Sequence, residues 1–267
     1  MDHLLRPKAP ISDASWAQID EEATRSLKHF LAARKVIDYS ADGNWERSAV
    51  TVGRVGEPTD KDGARVQNRA AQPLTELRVP FTLDRRDLEA IDRGAQDANL
   101  DPVVDAARRA AKTEDRAIFV GNSDAGITGI SEATPYDVLK VDQDLKNLTH
   151  VVAKAMNRIQ DEGVQGPYAM AVGPDFWARI METNEGGGYP LVKHLNLLLD
   201  VPVVWAPGME RAVVLSQRGG DFEIVGGQDW SIGYLDHDAD KVELYLEESF
   251  TFLLNTPEAA IVLDIDD

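Results

Sequence analysis

The chain has 267 residues, of which 28 are Lys or Arg and 46 are Asp or Glu, so its formal charge is -18. This negative excess opposes binding to nucleic-acid phosphates and anionic lipid, and no apolar run is long enough to span a membrane, so we expect neither partner. The sequence contains no cysteine, which excludes a disulfide framework, a thiolate metal site and a cysteine nucleophile and favours the cytoplasm.

The N-terminal part predicts an amphipathic helix followed by an extended arm. Ser12 and Asp13 are both good N-cap residues, and apolar residues then recur at three- and four-residue steps. Between Ala41 and Ala71, short β-like pieces surround a polar, glycine-bearing stretch, which predicts a long two-stranded arm with little core of its own. The apolar stripe of the helix consists of Trp16, Ile19, Ala23, Leu27 and Phe30.

The middle of the chain predicts one strand, at 74–83, and three helices. A short helix is predicted to begin at Asp84. Asp101 as N-cap with Pro102 at the first helical position predicts the start of a long helix, whose small alanines would let another element approach closely. A further amphipathic helix is predicted to end near Gly163. The buried face of the long helix is predicted to hold Val104, Ala107, Ala111, Glu114 and Ile118, and that of the further helix Leu145, Leu148, Val152, Ala155 and Ile159.

The second half of the chain mixes both kinds of element. Neither a regular βαβ rhythm nor an internal repeat is visible, so the predicted class is α+β. Helices are predicted at 176–181 and 190–199, and strands at 168–172, 201–205, 212–216, 222–225 and 242–252.

The polar residues form no recognisable catalytic or metal site. The five histidines give neither an HExxH pair nor a Glu-x-x-His step. The stretch at 121–125 approaches the G-x-S-x-G elbow of hydrolases, but it ends in Ala and follows a helix, which favours a helix end and turn. Acidic residues within 236–247 approach a calcium-loop pattern, but Lys241 stands where the loop needs Gly, which favours a solvated acidic turn. We therefore expect no catalytic residue, no metal and no cofactor.

An ordered series of motifs runs nearly the whole length of the chain and resembles the encapsulin family, also described as linocin-like bacteriocins. The stretch at 216–222 and the one at 227–234 are the most specific of these. The further landmarks are Ala9-Pro10-Ile11 with Trp16, Ala33-Arg34-Lys35 with Asp38, Leu77-Arg78 with Phe81-Thr82-Leu83, Glu114-Asp115 with Ile118-Phe119, Gly166-Pro167-Tyr168, Gly188-Tyr189-Pro190 and Glu248-Ser249-Phe250-Thr251-Phe252.

The resemblance implies the fold of tailed-phage major capsid proteins, with a peripheral domain, an axial domain and an extended loop. The implied division is an N-terminal helix and inner arm of the peripheral domain (1–40), the extended loop as a β-hairpin arm (41–73), the peripheral domain with the long helix (74–134), the axial domain (135–222), and a peripheral β return with the C-terminus (223–267).

The resemblance also implies a groove for a short C-terminal targeting peptide of a cargo enzyme. Arg34 and Asp38 match family positions near that groove, and a structural ion pair at the end of the first helix is the alternative for them. Ile37 is assigned to the same groove. Ile232 and Tyr234 are expected in its apolar floor, with core packing as the alternative. Changing Arg34 and Asp38 together to alanine is expected to reduce cargo loading and leave assembly intact.

Two further features follow from the same resemblance. A glycine-rich loop corresponds to the family's five-fold pore loop, where small residues leave room for solutes to pass, and a plain connecting loop is the alternative. Some family members offer a Trp for flavin stacking, whereas this chain has Arg86 in that region, so no flavin is expected. The pore loop consists of Glu185, Gly186, Gly187, Gly188 and Tyr189.

The implied function is that of a shell protein which self-assembles into an icosahedral cage of about 60 copies. The cage would enclose a cargo enzyme, such as a ferritin-like protein or a dye-decolourising peroxidase, in the cytoplasm. Any chemistry, including iron oxidation and storage, would belong to the cargo. The alternatives are a phage-type capsid protein, which the acidic charge opposes, and a protease or bacteriocin-like enzyme, for which no nucleophile and base are identifiable.

Overall fold

The computed structural model describes residues 3–199 and 201–266 and has the mixed α+β architecture that the sequence predicts. Its helices are α1 (Asp13–Phe30), α2 (Arg85–Asp92), α3 (Asp101–Phe119), α4 (Ile130–Ala133), α5 (Leu148–Asp161), α6 (Pro174–Glu182) and α7 (Leu191–Leu199). Its strands are β1 (Asp38–Ala41), β2 (Ala49–Val55), β3 (Thr59–Lys61), β4 (Ala64–Val66), β5 (Arg69–Pro73), β6 (Thr75–Asp84), β7 (Gly121–Asn122), β8 (Ile127–Thr128), β9 (Leu139–Val141), β10 (Tyr168–Val172), β11 (Val204–Trp205), β12 (Ala212–Ser216), β13 (Phe222–Gly226), β14 (Ser231–His237), β15 (Lys241–Leu254) and β16 (Ala260–Ile265).

The first sheet is organised around the long strand β15. Its order is β1-β13-β15-β14, and β6 also pairs with β15 along ten residues of that strand. Helices α2 and α3 lie against β6 of this sheet, and α1 packs on α2 and α3. The buried face of α1 shares one core with β6, β14 and β15. The apolar stripe of α1 is buried as predicted, and Ser12 caps the helix by accepting a hydrogen bond from Ser15 N (3.1 Å).

Helix α3 packs closely on α1 through small side chains. Ala106, Ala107, Ala110 and Ala111 are all fully buried, which confirms the predicted close approach of another element. The predicted start of this helix is wrong by one residue, because Leu100 holds the N-cap position and Asp101 is already helical.

The second sheet has the order β11-β10-β12-β16-β9, with α5 and α7 packed against it. The strand predicted at 201–205 is shorter than expected, since only Val204–Trp205 pairs. The backbone N–H of Val203 bonds instead to the side chain of Asn196 on α7. The final strand, β16, pairs with β12 and β9, so Ala260–Ile265 lies in the second sheet.

The arm between β1 and β6 is almost entirely exposed. Strands β2 and β5 pair with each other, and β3 and β4 form a hairpin whose turn, Asp62 and Gly63, has positive φ at both residues. Val50 is buried, but Val55 and Val66 are 60% and 57% exposed. A two-stranded ribbon with exposed valines is marginal alone and gains stability by packing on another surface.

Candidate functional site

Arg34 lies at the centre of an ionic network between α1, α3 and the first sheet. It follows α1 in a single 3-10 turn. Its Nε and Nη2 donate to the two oxygens of Glu114, both at 2.8 Å. Nη2 also donates to Glu248 Oε2 (2.7 Å), and Nη1 donates to Asp229 Oδ1 (2.7 Å). We call Arg34, Glu114, Asp229 and Glu248 the Arg34 cluster.

The Arg34 cluster is buried except at Asp229. The exposed fractions of the side chains are 13% for Arg34, 0% for Glu114 and 1% for Glu248, against 56% for Asp229. Burial alone would lower the pKa of Arg34, but the carboxyl groups of Glu114 and Glu248 outweigh it and raise that pKa. The cluster therefore holds a permanently charged guanidinium that is largely shielded from water.

Asp115, next to Glu114 on α3, fastens the backbone that follows α1. Its carboxyl group accepts hydrogen bonds from Ala32 N (3.0 Å) and Ala33 N (2.8 Å) and is fully buried. Burial raises the pKa of Asp115 to about 7, although the two backbone donors oppose this. The Arg34 cluster and Asp115 together tie the end of α1 to the long helix.

Two open clefts flank this junction. The α1 cleft, of about 350 Å³, is mainly apolar and carries exposed lysines at its rim. The β1 cleft, of about 310 Å³, is more polar. Lys35 lines both clefts, so they adjoin there. The α1 cleft is lined by Thr24, Leu27, Lys28, Leu31, Arg34, Lys35, Asp229 and Trp230, and the β1 cleft by Lys35, Val36, Ile37, Asp38, Pro167, Ser216, Gln217, Gly219, Asp221 and Phe222.

The five residues assigned to the groove from the sequence fall into three environments. Arg34 borders the α1 cleft, whereas Ile37 and Asp38 line the β1 cleft. Ile232 and Tyr234 lie on β14, only 3% and 9% exposed, in the core that packs against α1. They line neither cleft.

Arg34 and Asp38 do not form the ion pair that the sequence left open. Arg34 bonds to the three carboxyl groups of its cluster. Asp38 Oδ2 instead accepts a hydrogen bond from Gly220 N (2.7 Å), which fixes the glycine turn before β13. The two side chains therefore have separate structural partners.

The glycine-rich loop connects α6 to α7 as a tight turn. Glu185 N donates to Tyr189 O and Gly188 N donates to Glu185 O, both at 2.9 Å. Gly187 and Gly188 have positive φ, a conformation that needs glycine. Glu185 Oε2 lies 2.5 Å from His194 Nδ1 on α7, which links one end of the loop to the following helix.

The regions that resembled catalytic or calcium sites have structural explanations. Asn122 caps a short turn by accepting from Ala125 N (3.2 Å). Asp238 accepts from Asp240 N and Lys241 N in the exposed turn between β14 and β15, which confirms the solvated acidic turn. Over residues 3–199 and 201–266, no group of three or more metal-ligating side chains is found, nor a helix long and apolar enough to cross a membrane.

The fold is similar to that of particle-forming proteins. A virus-like particle from Pyrococcus furiosus matches with a TM-score of 0.64 at 16% identity, over 93% of this chain and 98% of that chain. A chain of Mycobacterium phage Adephagia matches with a TM-score of 0.57 at 13% identity, over 87% and 89%. At such identities the likeness shows the fold alone, and it confirms the predicted capsid-type architecture.

The family model of Linocin_M18, described as an encapsulating protein for peroxidase, matches residues 1–251. The chain belongs to this encapsulin family. A type 1 encapsulin shell protein of Rhodospirillum rubrum is 48% identical over 98% of this chain and 96% of its own length. One from Mycobacterium tuberculosis is 41% identical over 98% and 99%. This chain is therefore a shell protein of the encapsulin family, and the relatives are named as shell components.

Sequence reasoning missed most of the Arg34 cluster of this encapsulin. Glu114 belongs to the predicted buried face of α3, and a glutamate on such a face is a signal for a buried partner. Glu248 likewise falls within a strand of aromatic and aliphatic residues. Their common partner, Arg34, is 80 and 214 residues away, and no local pattern pairs residues at such separations.

Proposed function

We propose that this shell protein captures a cargo enzyme by binding a short apolar tail segment across the α1 and β1 clefts. The observation that carries the proposal is the mainly apolar α1 cleft, which shares the lining residue Lys35 with the β1 cleft. The assigned groove residues Arg34, Ile37 and Asp38 border this combined groove. Ile232 and Tyr234 support it from the core beneath α1.

The groove is suited to modest affinity at each site. Burying aliphatic side chains contributes about 25 cal/mol per Å², which is opposed by the loss of freedom of a flexible tail. Lys28 and Lys35 at the rim give local positive charge on a chain of charge -18, which favours a tail that carries a carboxylate. An oligomeric cargo that presents several tails would then be held by avidity.

Filling the α1 cleft should reduce cargo loading without harming the shell. Thr24 is exposed and lines the cleft, so we expect Thr24→Trp to occupy the tail's place and reduce copurified cargo at least several-fold. Gln217→Trp should do the same in the β1 cleft. The cargo-to-shell ratio of purified particles, measured by mass spectrometry, gives the result.

Arg25→Trp is the matched control, because Arg25 is exposed on the same helix and lines neither cleft. It should load cargo like the unchanged protein. Unchanged loading in both Thr24→Trp and Gln217→Trp would place the docking site elsewhere on the shell and contradict the proposed groove.

The proposed shell is the smallest icosahedral one, of about 60 copies, in the cytoplasm. The first sheet with α1–α3 would form a peripheral domain, and the second sheet with α5–α7 an axial domain that includes β16. The arm at 41–73 would lie across a neighbouring subunit, where its exposed valines would be buried. The loop at 185–189 would line a five-fold pore for small solutes.

The shell itself is proposed to have no catalytic activity, with all chemistry in the cargo. The support is that the candidate catalytic motifs are turns and caps, and that the relatives are named as shell proteins. Cargo-free particles should show no peptidase or ferroxidase turnover. Turnover that survives cargo removal and disappears when one polar residue is changed would contradict this.

A further inference from the structure

Two buried carboxyl groups of the Arg34 cluster face each other across one guanidinium. Arg34 Nη2 donates both to Glu114 Oε2 (2.8 Å) and to Glu248 Oε2 (2.7 Å), so the two carboxyl groups are neighbours on one donor nitrogen. Two ionised carboxylates at such a separation, away from water, repel strongly. The arrangement is favourable when one of them carries a proton and donates it to the other.

The hydrogen-bond donors around the pair show which carboxyl is ionised. Glu114 receives three bonds, from Arg34 Nε, Arg34 Nη2 and the indole Nε1 of Trp230 (3.0 Å). Glu248 receives a single bond, and its Oε1 is buried without a hydrogen-bond donor in the described part of the chain. A buried carboxylate with one donor is costly, whereas a carboxylate with three charge-assisted or indole donors is well solvated.

The other charged groups around Glu114 and Glu248 do not remove this difference in the number of hydrogen-bond donors. The turn after α1 supplies Arg34 and Lys35, but Lys35 is exposed and interacts with Asp115. From the other elements come Asp115 on α3, bound to backbone N–H groups, Tyr39 on β1 under the guanidinium, and the half-exposed Asp229. One buried cation thus faces two buried carboxyls and a third that reaches water.

We propose that Glu248 is protonated at neutral pH and donates this proton to ionised Glu114. The proton stabilises the junction of α1, α3 and the first sheet, and its removal weakens that junction. Arg34 and Glu114 then form a neutral buried pair. Loss of the proton leaves a second buried negative charge at the point where the turn after α1 meets β15.

The sign of the resulting pH dependence follows from proton binding. Burial raises the pKa of Glu248, and the nearby carboxyl of Glu114 raises it further, with Arg34 offsetting only part. The folded protein therefore keeps a proton that the unfolded chain releases above the ordinary glutamate pKa. Stability is complete below that pKa and falls as the pH rises towards the folded value. Asp115, with a pKa of about 7, changes stability with pH in the same direction, so its contribution must be distinguished from that of Glu248.

The test is Glu248→Gln, which keeps an oxygen for Arg34 and an N–H for Glu114, as the protonated acid would. We expect its thermal unfolding midpoint at about pH 8.5 to equal or exceed that of the unchanged particle. The fall in midpoint between about pH 6 and pH 8.5 should become smaller without vanishing, because Asp115 still contributes its share. If Glu248 is instead an ionised partner of Arg34, the variant loses an ion pair and its midpoint drops at every neutral or alkaline pH.

Glu247→Gln is the matched control on the same strand. Glu247 is equally buried, but it accepts two bonds from its own arginine, Arg78, and its other oxygen lies 3.7 Å from His3 Nε2. We expect this variant to have a lower midpoint throughout the range from about pH 6 to pH 8.5, because it removes the partner of Arg78. The proposal is overturned if Glu248→Gln behaves like Glu247→Gln.

Infrared spectroscopy can detect the proton on Glu248 in the unchanged protein, so this test does not depend on a variant that folds. Particles labelled with ¹³C-glutamate should show a protonated carboxyl band at neutral pH that shifts with the label, which separates it from any band of Asp115. The band should disappear at alkaline pH. Absence of a label-sensitive band at neutral pH would overturn the proposal.

Discussion

Replacing Arg34 with methionine is expected to destabilise the subunit by about 3–5 kcal/mol, since it removes the cation of a buried network and leaves Glu114 ionised in a site without water. Methionine keeps most of the aliphatic stem, so the loss would arise from charge and not from a cavity. The chemical denaturation midpoint should fall, and the yield of assembled particles should fall with it. The structure thus revises the expectation that assembly tolerates the loss of Arg34.

Arg25→Met is the control for charge removal as such. Arg25 is 75% exposed and pairs with Glu22 at the surface of α1, where ion pairs contribute little. It should leave both the denaturation midpoint and the particle yield unchanged. An Arg34→Met variant as stable as Arg25→Met would show that the Arg34 cluster does not hold the end of α1.

Gly173→Ala is expected to cost about 3 kcal/mol, because the added methyl group has no space. Gly173 precedes α6, and a Cβ there would overlap the backbone carbonyl oxygens of Met209 and Glu210. This backbone cannot easily move away, since Gly173 N donates to Arg211 O (2.9 Å) and Trp177 N to Gly173 O (2.8 Å). The unfolding midpoint and the particle yield should both drop.

Gly186→Ala is the matched control for a glycine change. A Cβ at Gly186 meets nothing within 4 Å and its φ is not positive, so the midpoint should not change. If the two variants have the same stability, the backbone at 209–210 moves to make room for the methyl group. Its close approach to Gly173 then does not require glycine at that position.

Local patterns were sufficient for most elements of the fold. Three- and four-residue periodicity located α1, α3 and α5, because each buries one face. The strand predicted at 201–205 was too long for a physical reason: Asn196, a side chain on a different element, takes the N–H of Val203 and so replaces a strand partner. Such competition is not visible in β-propensity.

The candidate site was less predictable because it depends on long-range packing. The alternation in β14 indicates that Ile232 and Tyr234 share a buried face, but not whether that face meets core or groove. Arg34 was identified, but its partners on α3 and β15 are set by how those elements meet.

The mass of the purified particle tests the central claim most directly. Native mass spectrometry or analytical ultracentrifugation, together with electron microscopy, should show closed icosahedral shells of about 60 copies, with the arms at 41–73 lying on neighbouring subunits. A folded, monodisperse monomer or dimer at micromolar concentration would contradict the assignment of this chain as a shell protein.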